Sequence, residues 1–577
     1  MAQSRATEAR RVWVPAVLFG ACALVILVRL FQLQVFEHGK YASAAANELL
    51  GDDTIYAKRG NILDRNGNVL ATSVDTWDIY INARSWQDGA QASAASATVG
   101  KALGLDAAQM RNKVTSSKSV DVLIQRDVDY DTGKQLLDQK VTGVIGVPDT
   151  QRVNPEGDVG ASVLGIIGLD NTGLAGIEAS MNDQLQGKPG RAVYERDTTG
   201  EPIPFAQHVA QKPEAGSDLV LTIDRYIQQL VEQRLAQGIK DHKAIGGDII
   251  VMDPQTGEIL AMASSPGLQY STLDLSDPSS TALLRDRAVT DLYEPGSVMK
   301  IVTASAAIDT GVVTPDTTYV DTGVTYIADV PLRNWDNHVY GQQTMTGVLQ
   351  NSINTGAVFM VEKLGAKTYQ SYLDAFGFGK QTGIELQGEA AGIFRRPSDP
   401  DYSPVDLATQ SFGQSISVTP LQMITAIAAA INGGNLMQPH LIKATIGADG
   451  KQVNQQPKVV GHPIRPDSSA TIRQMLDAVV NPAGGGYPGA PKDYRAGGKS
   501  GTANIPIYGT YNDTQVASFA GFAPVSDPRI LVLVKLDSNA DLATGTQAAA
   551  PIFSGLADDI LHYLGVRPNA GKSVATR

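Results

Sequence analysis

Cysteine is almost absent: the 577 residues contain one, Cys22, and it falls inside an apolar run. An intramolecular disulfide and a cysteine-based metal site are therefore excluded. Histidine is sparse as well, seven residues scattered without ligand spacing, which argues against a metalloenzyme. No block of lysine and arginine is found in a chain whose net charge is −12, so a general nucleic-acid binder is ruled out. Aromatic residues amount to only 6%, yet with 43% hydrophobic content this is ordinary for folded protein, and the length allows two or three domains.

What is present begins with an anchor. Arg5, Arg10 and Arg11 face Glu8 alone, and Val12 to Val28 carries no charge. At about 1.5 Å per residue that run spans about 25 Å, slightly short of a bilayer core. Leu30, Phe31, Leu33 and Val35 extend it, and Arg29 can snorkel to the interface. A cleaved signal peptide is the rival reading. The nearest small-residue cluster, Ala42 to Ala46, lies too far beyond the run for ordinary cleavage. The expectation is one uncleaved helix with its basic end in the cytoplasm and everything after residue 35 outside the membrane.

Lys58 to Ala71 reads as two short strands around Asn66-Gly67, a type I′ hairpin signal, with Arg59 and Arg65 on a solvated face. Ser85 to Val141 has helical spacing and offers no chemistry, and Gly173 to Gly190 reads as turn, helix and turn. Residues 36–215 form one non-catalytic module that exits through Lys212-Pro-Glu-Ala-Gly216. A second module opens at Leu219 to Asp224 and continues with a helix carrying Ile227, Leu230, Val231 and Leu235 on one face. Gly247 to Asp253 and Glu258 to Ala263 are strands joined by the Pro254 to Gly257 turn. Strand patterns return only at Gly498 to Thr502, Ser518 to Phe522 and Ile530 to Val534, before a last helix from about Pro551 to Leu564. Strands at both ends with helices between them predict an α+β fold, an antiparallel sheet flanked by helices and completed by distant parts of the chain.

Three stretches carry candidate chemistry. In Glu294-Pro-Gly-Ser-Val-Met-Lys300, a turn leads into an Ala-rich apolar helix that closes at Gly311. Ser297 sits near the helix N-terminus, where free N–H groups favour negative charge, and Lys300 follows on the same face. A serine hydroxyl needs a base, and a lysine in an apolar pocket can be one because desolvation lowers its pKa. Taken alone, the pair equally fits an N-cap serine followed by an exposed lysine. Ser352-Ile-Asn354 lies in a helix-connecting loop; the hydroxyl can relay a proton and the amide can hydrogen-bond a substrate amide, though both also suit loop capping. Gly497-Gly-Lys-Ser-Gly-Thr-Ala503 follows the Gly/Pro-rich Asn481 to Gly489. It is not a phosphate loop, because position 493, where a Walker A motif needs glycine, is aspartate. A strand with Lys499 and the hydroxyls of Ser500 and Thr502 suits a carboxylate, and Gly501 lets the backbone approach a ligand closely.

Ser-x-x-Lys, then Ser-x-Asn, then Lys-Ser/Thr-Gly, in an anchored extracytoplasmic chain, resembles the penicillin-binding protein and serine β-lactamase superfamily. Tyr56 to Ala71, Arg152 to Gly168, Gly173 to Gly190, Asp253 to Pro266, Asn334-Trp-Asp-Asn-His338 and Leu386 to Gly392 are all similar to class B penicillin-binding proteins. The resemblance covers about residues 10 to 565; Asn354 and the Lys-Ser-Gly form look more like the division FtsI-type and sporulation branch than the elongation branch. It implies a cytoplasmic tail (1–11), an anchor (12–35), an elongated pedestal or dimerisation domain (36–215), a transpeptidase domain of the serine β-lactamase/D,D-peptidase type with a helical subdomain (216–566) and a disordered tail (567–577).

It further implies peptidoglycan D,D-transpeptidation through a serine ester. Ser297 would be the nucleophile and Lys300 its base, Ser352 the proton relay and Lys499 its electrostatic support. Asn354 would orient the stem-peptide amide, Ser500 and Thr502 would bind the terminal carboxylate, and the backbone N–H groups of Ser297 and Thr502 would form the oxyanion hole. Implied partners are peptidoglycan stem peptides on a lipid-linked precursor, β-lactams, a membrane SEDS-type glycosyltransferase and divisome proteins. Neither a metal nor a dissociable cofactor is required. A D,D-carboxypeptidase or β-lactamase, a β-lactam sensor and a scaffold of a wall-synthesis complex are the alternatives. No Glu-x-x-Leu-Asn stretch between Ser352 and Lys499 supplies the water activation of a class A β-lactamase.

Overall fold

The structure is a computed structural model that describes residues 2–41, 50–196, 202–482, 487–507, 510–538 and 544–570. The Ala42 to Ala46 cluster, residues 483–486 of the Gly/Pro-rich stretch and residues 571–577 of the tail lie outside the described residues. Two compact units are formed, Met1–Lys58 with Gly187–Ala215, and Arg59–Gln186 with Gly216–Arg577.

In the first unit the apolar run is a helix, Ala2–Phe31, extended by the π-helical Gln32–Phe36. Trp13–Phe36, with mean hydropathy 2.4 and none of it buried, is long and apolar enough to cross a membrane. Strands Leu50–Ile55, Gly190–Arg196 and Pro202–Gln211 form an antiparallel three-stranded sheet.

In the second unit, elements of the catalytic module are labelled in chain order. Among its helices are α1 (Arg225–His242), α2 (Lys300–Asp309), α3 (Met345–Gln350), α4 (Asn354–Leu364), α5 (Pro420–Ile431) and α6 (Gly545–Tyr563). The strands are β1 (Gly246–Met252), β2 (Ile259–Ser265), β3 (Gly497–Ile507), β4 (Thr510–Ala523) and β5 (Ile530–Ser538). They form one sheet in the order β2-β1-β5-β4-β3, antiparallel throughout. The first two and last three strands are far apart in sequence, as their spacing predicted.

Both faces of the sheet are covered, so β1 and β5 are buried at every position. Successive residues still point to opposite sides. Ile249, Val251, Val532 and Val534 join one core with Val231 and Leu235 of α1 and Phe553 of α6. Ile250, Met252, Leu531 and Leu533 join the other with Val302 of α2 and the wholly buried α5. Asp224 caps α1, its carboxylate accepting from the N–H of Tyr226 (3.0 Å) and Ile227 (3.3 Å). The final helix starts at Gly545 rather than about Pro551, because a Thr544–Gln547 capping box opens it and Pro551 is carried inside. Beside the Tyr293 ring, the ammonium of Lys535 sits between Asp248 (2.9 Å) and Asp537 (2.7 Å), and Arg287 pairs with Asp537 at 2.7 Å. Deleting one member of such a buried cluster costs about 3–5 kcal/mol, since its partner is left charged and alone.

Elsewhere the structure corrects three expectations. The strands around Asn66-Gly67 do pair, but only Gly67 takes a positive φ (+87°), so the turn is not type I′. The Asp64 carboxylate instead gathers the N–H groups of Asn66 and Asn68, both at 2.8 Å. Arg59 is not on a solvated face; it is 1% exposed, pairs with Glu178 at 2.6 Å, and shares that carboxylate with Arg152 at 2.7 Å. A buried guanidinium persists only when paired, and three segments of the chain meet at this one. Arg65 is likewise engaged, with Glu258 at 3.0 Å. Finally, Ser85 to Val141 contains not only helices but the strand Asp121–Asp129, which pairs with the long strand Val69–Asn82. Its apolar–polar alternation is too brief to stand out beside the helical text.

Candidate active site

Ser297 lies in a 3₁₀ turn, Gly296–Met299, that runs straight into α2, whose first residue is Lys300. In a 3₁₀ turn side chains at i and i+3 eclipse, which stacks Lys300 on Ser297 more closely than an α-helical turn would. Gly296 has φ +56° and lies against β3; a Cβ there would stand 2.9 Å from the Thr502 carbonyl oxygen. The turn is tied from behind, where Gly296 N–H donates to Gly413 O (3.0 Å) and Glu294 accepts from Ser415 N–H (2.9 Å).

The three stretches converge. Lys300 Nζ lies 2.9 Å from Ser297 Oγ, 2.7 Å from Ser352 O, 2.7 Å from Asn354 Oδ1 and 3.4 Å from Ser352 Oγ. Lys499 Nζ donates to Ser352 Oγ and to Ser500 O, each at 3.0 Å. Ser352 thus bridges the two amines. It adopts φ +55°, a strained conformation for serine that turns its carbonyl to one lysine while its hydroxyl meets the other.

Both lysines are buried, 0% and 1% exposed, and among the described residues neither is paired with a carboxylate. Burial holds Lys300 well below the ordinary lysine range, and the facing Lys499 amine lowers it further. Burial pushes Lys499 down to about 7. A neutral Lys300 has two N–H bonds and one lone pair. The two short carbonyl contacts, to Ser352 O and Asn354 Oδ1, take the N–H bonds, and the lone pair is left for the Ser297 hydroxyl. In its neutral form Lys300 is thus placed to draw the proton off Ser297.

β3 is the edge strand, and its outward backbone groups face the serine turn. In a strand the N–H and C=O of one residue point the same way, so the approach of Thr502 O to Gly296 puts the Thr502 N–H on the turn side too. Thr502 is exposed and Ser500 half-buried; the Thr502 hydroxyl accepts from Gly545 N–H at 3.2 Å. Gly501 also sits where the serine turn comes closest to the strand. A Cβ there would lie 2.6 Å from Ser518 Oγ of β4, 2.8 Å from Pro295 O and 2.9 Å from Val298 Cγ2, so its absence leaves room both for the neighbouring strand and for the serine turn.

Residue types alone did not single out the groups that support Asn354 as parts of the site. Asn354 Nδ2 donates to Arg333 O (3.0 Å), and Asn334 Oδ1 accepts from the N–H of Asn354 (3.1 Å) and Thr355 (3.3 Å). Both belong to a hairpin region ahead of α3, and nothing in their local sequence marks them as neighbours of Lys300.

A serine in hydrogen-bond reach of a buried lysine, in a turn that leads into a helix beside an antiparallel sheet with a Lys-Ser-Gly edge strand, has the layout of the serine β-lactamase/D,D-peptidase class. Comparison with known proteins narrows this. The family described as Penicillin binding protein transpeptidase domain matches residues 247–558, and the Penicillin-binding Protein dimerisation domain matches residues 54–221. The chain is 34% identical to Stage V sporulation protein D of Bacillus subtilis over 96% of this chain and 85% of that protein. It is 30% identical to peptidoglycan D,D-transpeptidase FtsI of Escherichia coli over 97% and 93%. Among solved structures, penicillin-binding protein 3 of Mycobacterium tuberculosis, complexed with aztreonam, superposes with TM-score 0.69 at 27% identity, covering 90% of this chain and 98% of that one. Penicillin-binding protein 2X of Streptococcus thermophilus shares the fold, with TM-score 0.78 at 24% identity over 89% and 81%. The chain belongs to the penicillin-binding protein transpeptidase family, in its class B.

Proposed function

We propose that the chain is a peptidoglycan D,D-transpeptidase acting in septal wall synthesis, with Ser297 as nucleophile and Lys300 as general base. The observation that carries this reading is the 2.9 Å contact between an uncharged-prone Lys300 and Ser297, with both amine N–H bonds already spoken for. Ser297 Oγ bonds to the carbonyl carbon between the two terminal D-alanines, and its proton passes to Lys300. The Ser297 and Thr502 N–H groups hold the oxyanion, a contribution worth about 3–4 kcal/mol per donor. As the C–N bond breaks, Ser352 gives its proton to the departing D-alanine amine and takes the one held by Lys300 in its place, under the influence of Lys499. Ser500 and Thr502 hold the terminal carboxylate, and Asn354 orients the stem-peptide amide. An amine of a second stem peptide then attacks the ester, the C–O bond breaks, and Ser297 recovers its proton. No electron is exchanged at either step.

Residues 36–215 serve as the pedestal and 216–566 as the transpeptidase domain, a division supported by the two family matches. The anchor is N-in with the catalytic module outside the cytoplasmic membrane, and the partners are a membrane SEDS-type glycosyltransferase and divisome proteins. The test is intact-mass measurement of the protein with benzylpenicillin, then product analysis with lipid-linked substrate and an amine acceptor. One covalent adduct, lost in Ser297→Ala, and crosslinked product are expected. An adduct on Ser297→Ala removes the nucleophile assignment, and release of free D-alanine without any crosslink makes the enzyme a carboxypeptidase.

A further inference from the structure

The stretch Asn334 to His338 resembled the family but had no chemistry attached to it. It lies directly behind Asn354. We infer that Asn334 is a positioning residue: by capping α4 and anchoring the adjoining Arg333 carbonyl, it holds the Asn354 amide with its oxygen toward Lys300, and so keeps the amine lone pair on Ser297. This rests on the reading of Lys300 as the base of the acylation step.

An asparagine amide is nearly symmetric in shape but not in chemistry. Asn354 Nδ2 meets Arg333 O at 3.0 Å, and a carbonyl can only accept, so Oδ1 is the end that faces Lys300 at 2.7 Å. A half-turn of the amide would set Oδ1 against the Arg333 oxygen and Nδ2 against the lysine amine. The Nδ2–H would then take the lone pair that Ser297 needs. The orientation of this amide is thus decided by where Arg333 O sits.

Arg333 ends the short strand Val330–Arg333, and the next residue is the clamp. Asn334 is 2% exposed, and its Oδ1 accepts from two of the orphan N–H groups at the start of α4, those of Asn354 and Thr355. Its Nδ2 donates to Asp321 Oδ2 at 2.9 Å and to His338 O at 3.0 Å. Asp321, 1% exposed, also accepts from Thr355 Oγ1 (2.6 Å), Tyr340 N–H (2.8 Å) and Gly323 N–H (3.0 Å). Burial alone would raise its carboxyl, but these donors hold it below the ordinary aspartate range. As an anion it cannot donate, and this fixes the Asn334 amide: nitrogen to Asp321, oxygen to the helix. One amide locked by a buried carboxylate therefore sets the direction of a second at the base.

A residue that merely capped α4 would have the same hydrogen bonds, so the test must separate the two roles. Acylation of the full-length protein by benzylpenicillin is followed by quenched-flow intact mass, which gives the pre-covalent Kd, the first-order acylation constant and the titratable fraction. Asn334→Ala is expected to keep the titratable fraction while the acylation constant falls by about 10²-fold, the effect of a misaligned reacting group. With the Asn354 side chain already removed by Asn354→Ala, the same Asn334→Ala change should cost less than about twofold, because there is no amide left to orient. An equal loss in both backgrounds makes Asn334 a helix cap only and overturns the inference, as does an unchanged acylation constant. Should Asn334→Ala lose its titratable sites, Asn334→Ser, which keeps a hydroxyl acceptor for α4, carries the same comparison. An adduct that survives Ser297→Ala in the parent chain would instead overturn the underlying reading of the base, and this inference with it.

Discussion

At the scale of single residues, the site turns on what a buried lysine is allowed to be. With no carboxylate partner, an ammonium in the Lys300 position would face two carbonyl oxygens and a second amine in a desolvated pocket, and the proton is the cheapest thing to give up. Positive charge without a removable proton should then be useless. Lys300→Arg is expected to acylate at least about 10²-fold more slowly with penicillin from pH 6 to 9, since arginine stays protonated and a general base contributes 10²–10⁴-fold. The wild-type rate should fall on the acid side, because burial and the facing Lys499 amine lower the Lys300 pKa, and a base with a lowered pKa loses its lone pair only as pH drops through that lowered value. A pH-independent wild-type rate down to pH 4, or an arginine variant within tenfold of wild type, would end the base assignment. Ser297, Lys300, Ser352, Asn354 and Lys499 were legible because each lies in a short stretch whose order along the chain is characteristic. Asp321 and Asn334 were not, because their meaning lies in a contact with α4 that no local spacing encodes.

At the scale of elements, the contact that matters is between the 3₁₀ turn and the edge strand β3. The two strands that open the catalytic sheet and the three that close it were readable as short apolar runs, since strands buried on both faces are apolar almost throughout. How closely β3 would approach the serine turn was not readable, because a glycine in a strand looks the same whether it admits a ligand or another piece of backbone. Gly501 admits backbone. Gly501→Ala should therefore fold, with the new methyl pressing on Pro295 O and Val298 and moving the turn off the Thr502 N–H. Acylation is expected to fall by about 10²–10³-fold, the usual loss when one oxyanion donor is removed, with a lowered Tm from an overpacking cost of about 1–3 kcal/mol. Near wild-type acylation in a folded Gly501→Ala protein, checked by thermal unfolding and penicillin titration together, would show that the turn and strand do not act as one unit.

At the scale of the whole molecule, the question is on which side of a membrane this chemistry is carried out. The described helix across Trp13–Phe36 is long enough to span, and the only arginines ahead of it are Arg5, Arg10 and Arg11. Positive residues next to a spanning helix are retained in the cytoplasm, so the catalytic module is expected outside. That side has no ATP, and acyl exchange suits it: the energy of the new amide comes from the D-Ala–D-Ala bond the substrate already carries. The absence of any intramolecular disulfide leaves the fold dependent on its cores rather than on covalent staples. Protease added to intact spheroplasts should accordingly digest the large C-terminal part and leave a short N-terminal fragment protected, read by antibodies to each end. If the large part survives while a cytoplasmic control protein also remains intact, the orientation is reversed. An acyl-transfer site would then be separated from extracytoplasmic peptidoglycan, and the septal reading would lose its physical basis even with Ser297 still reactive.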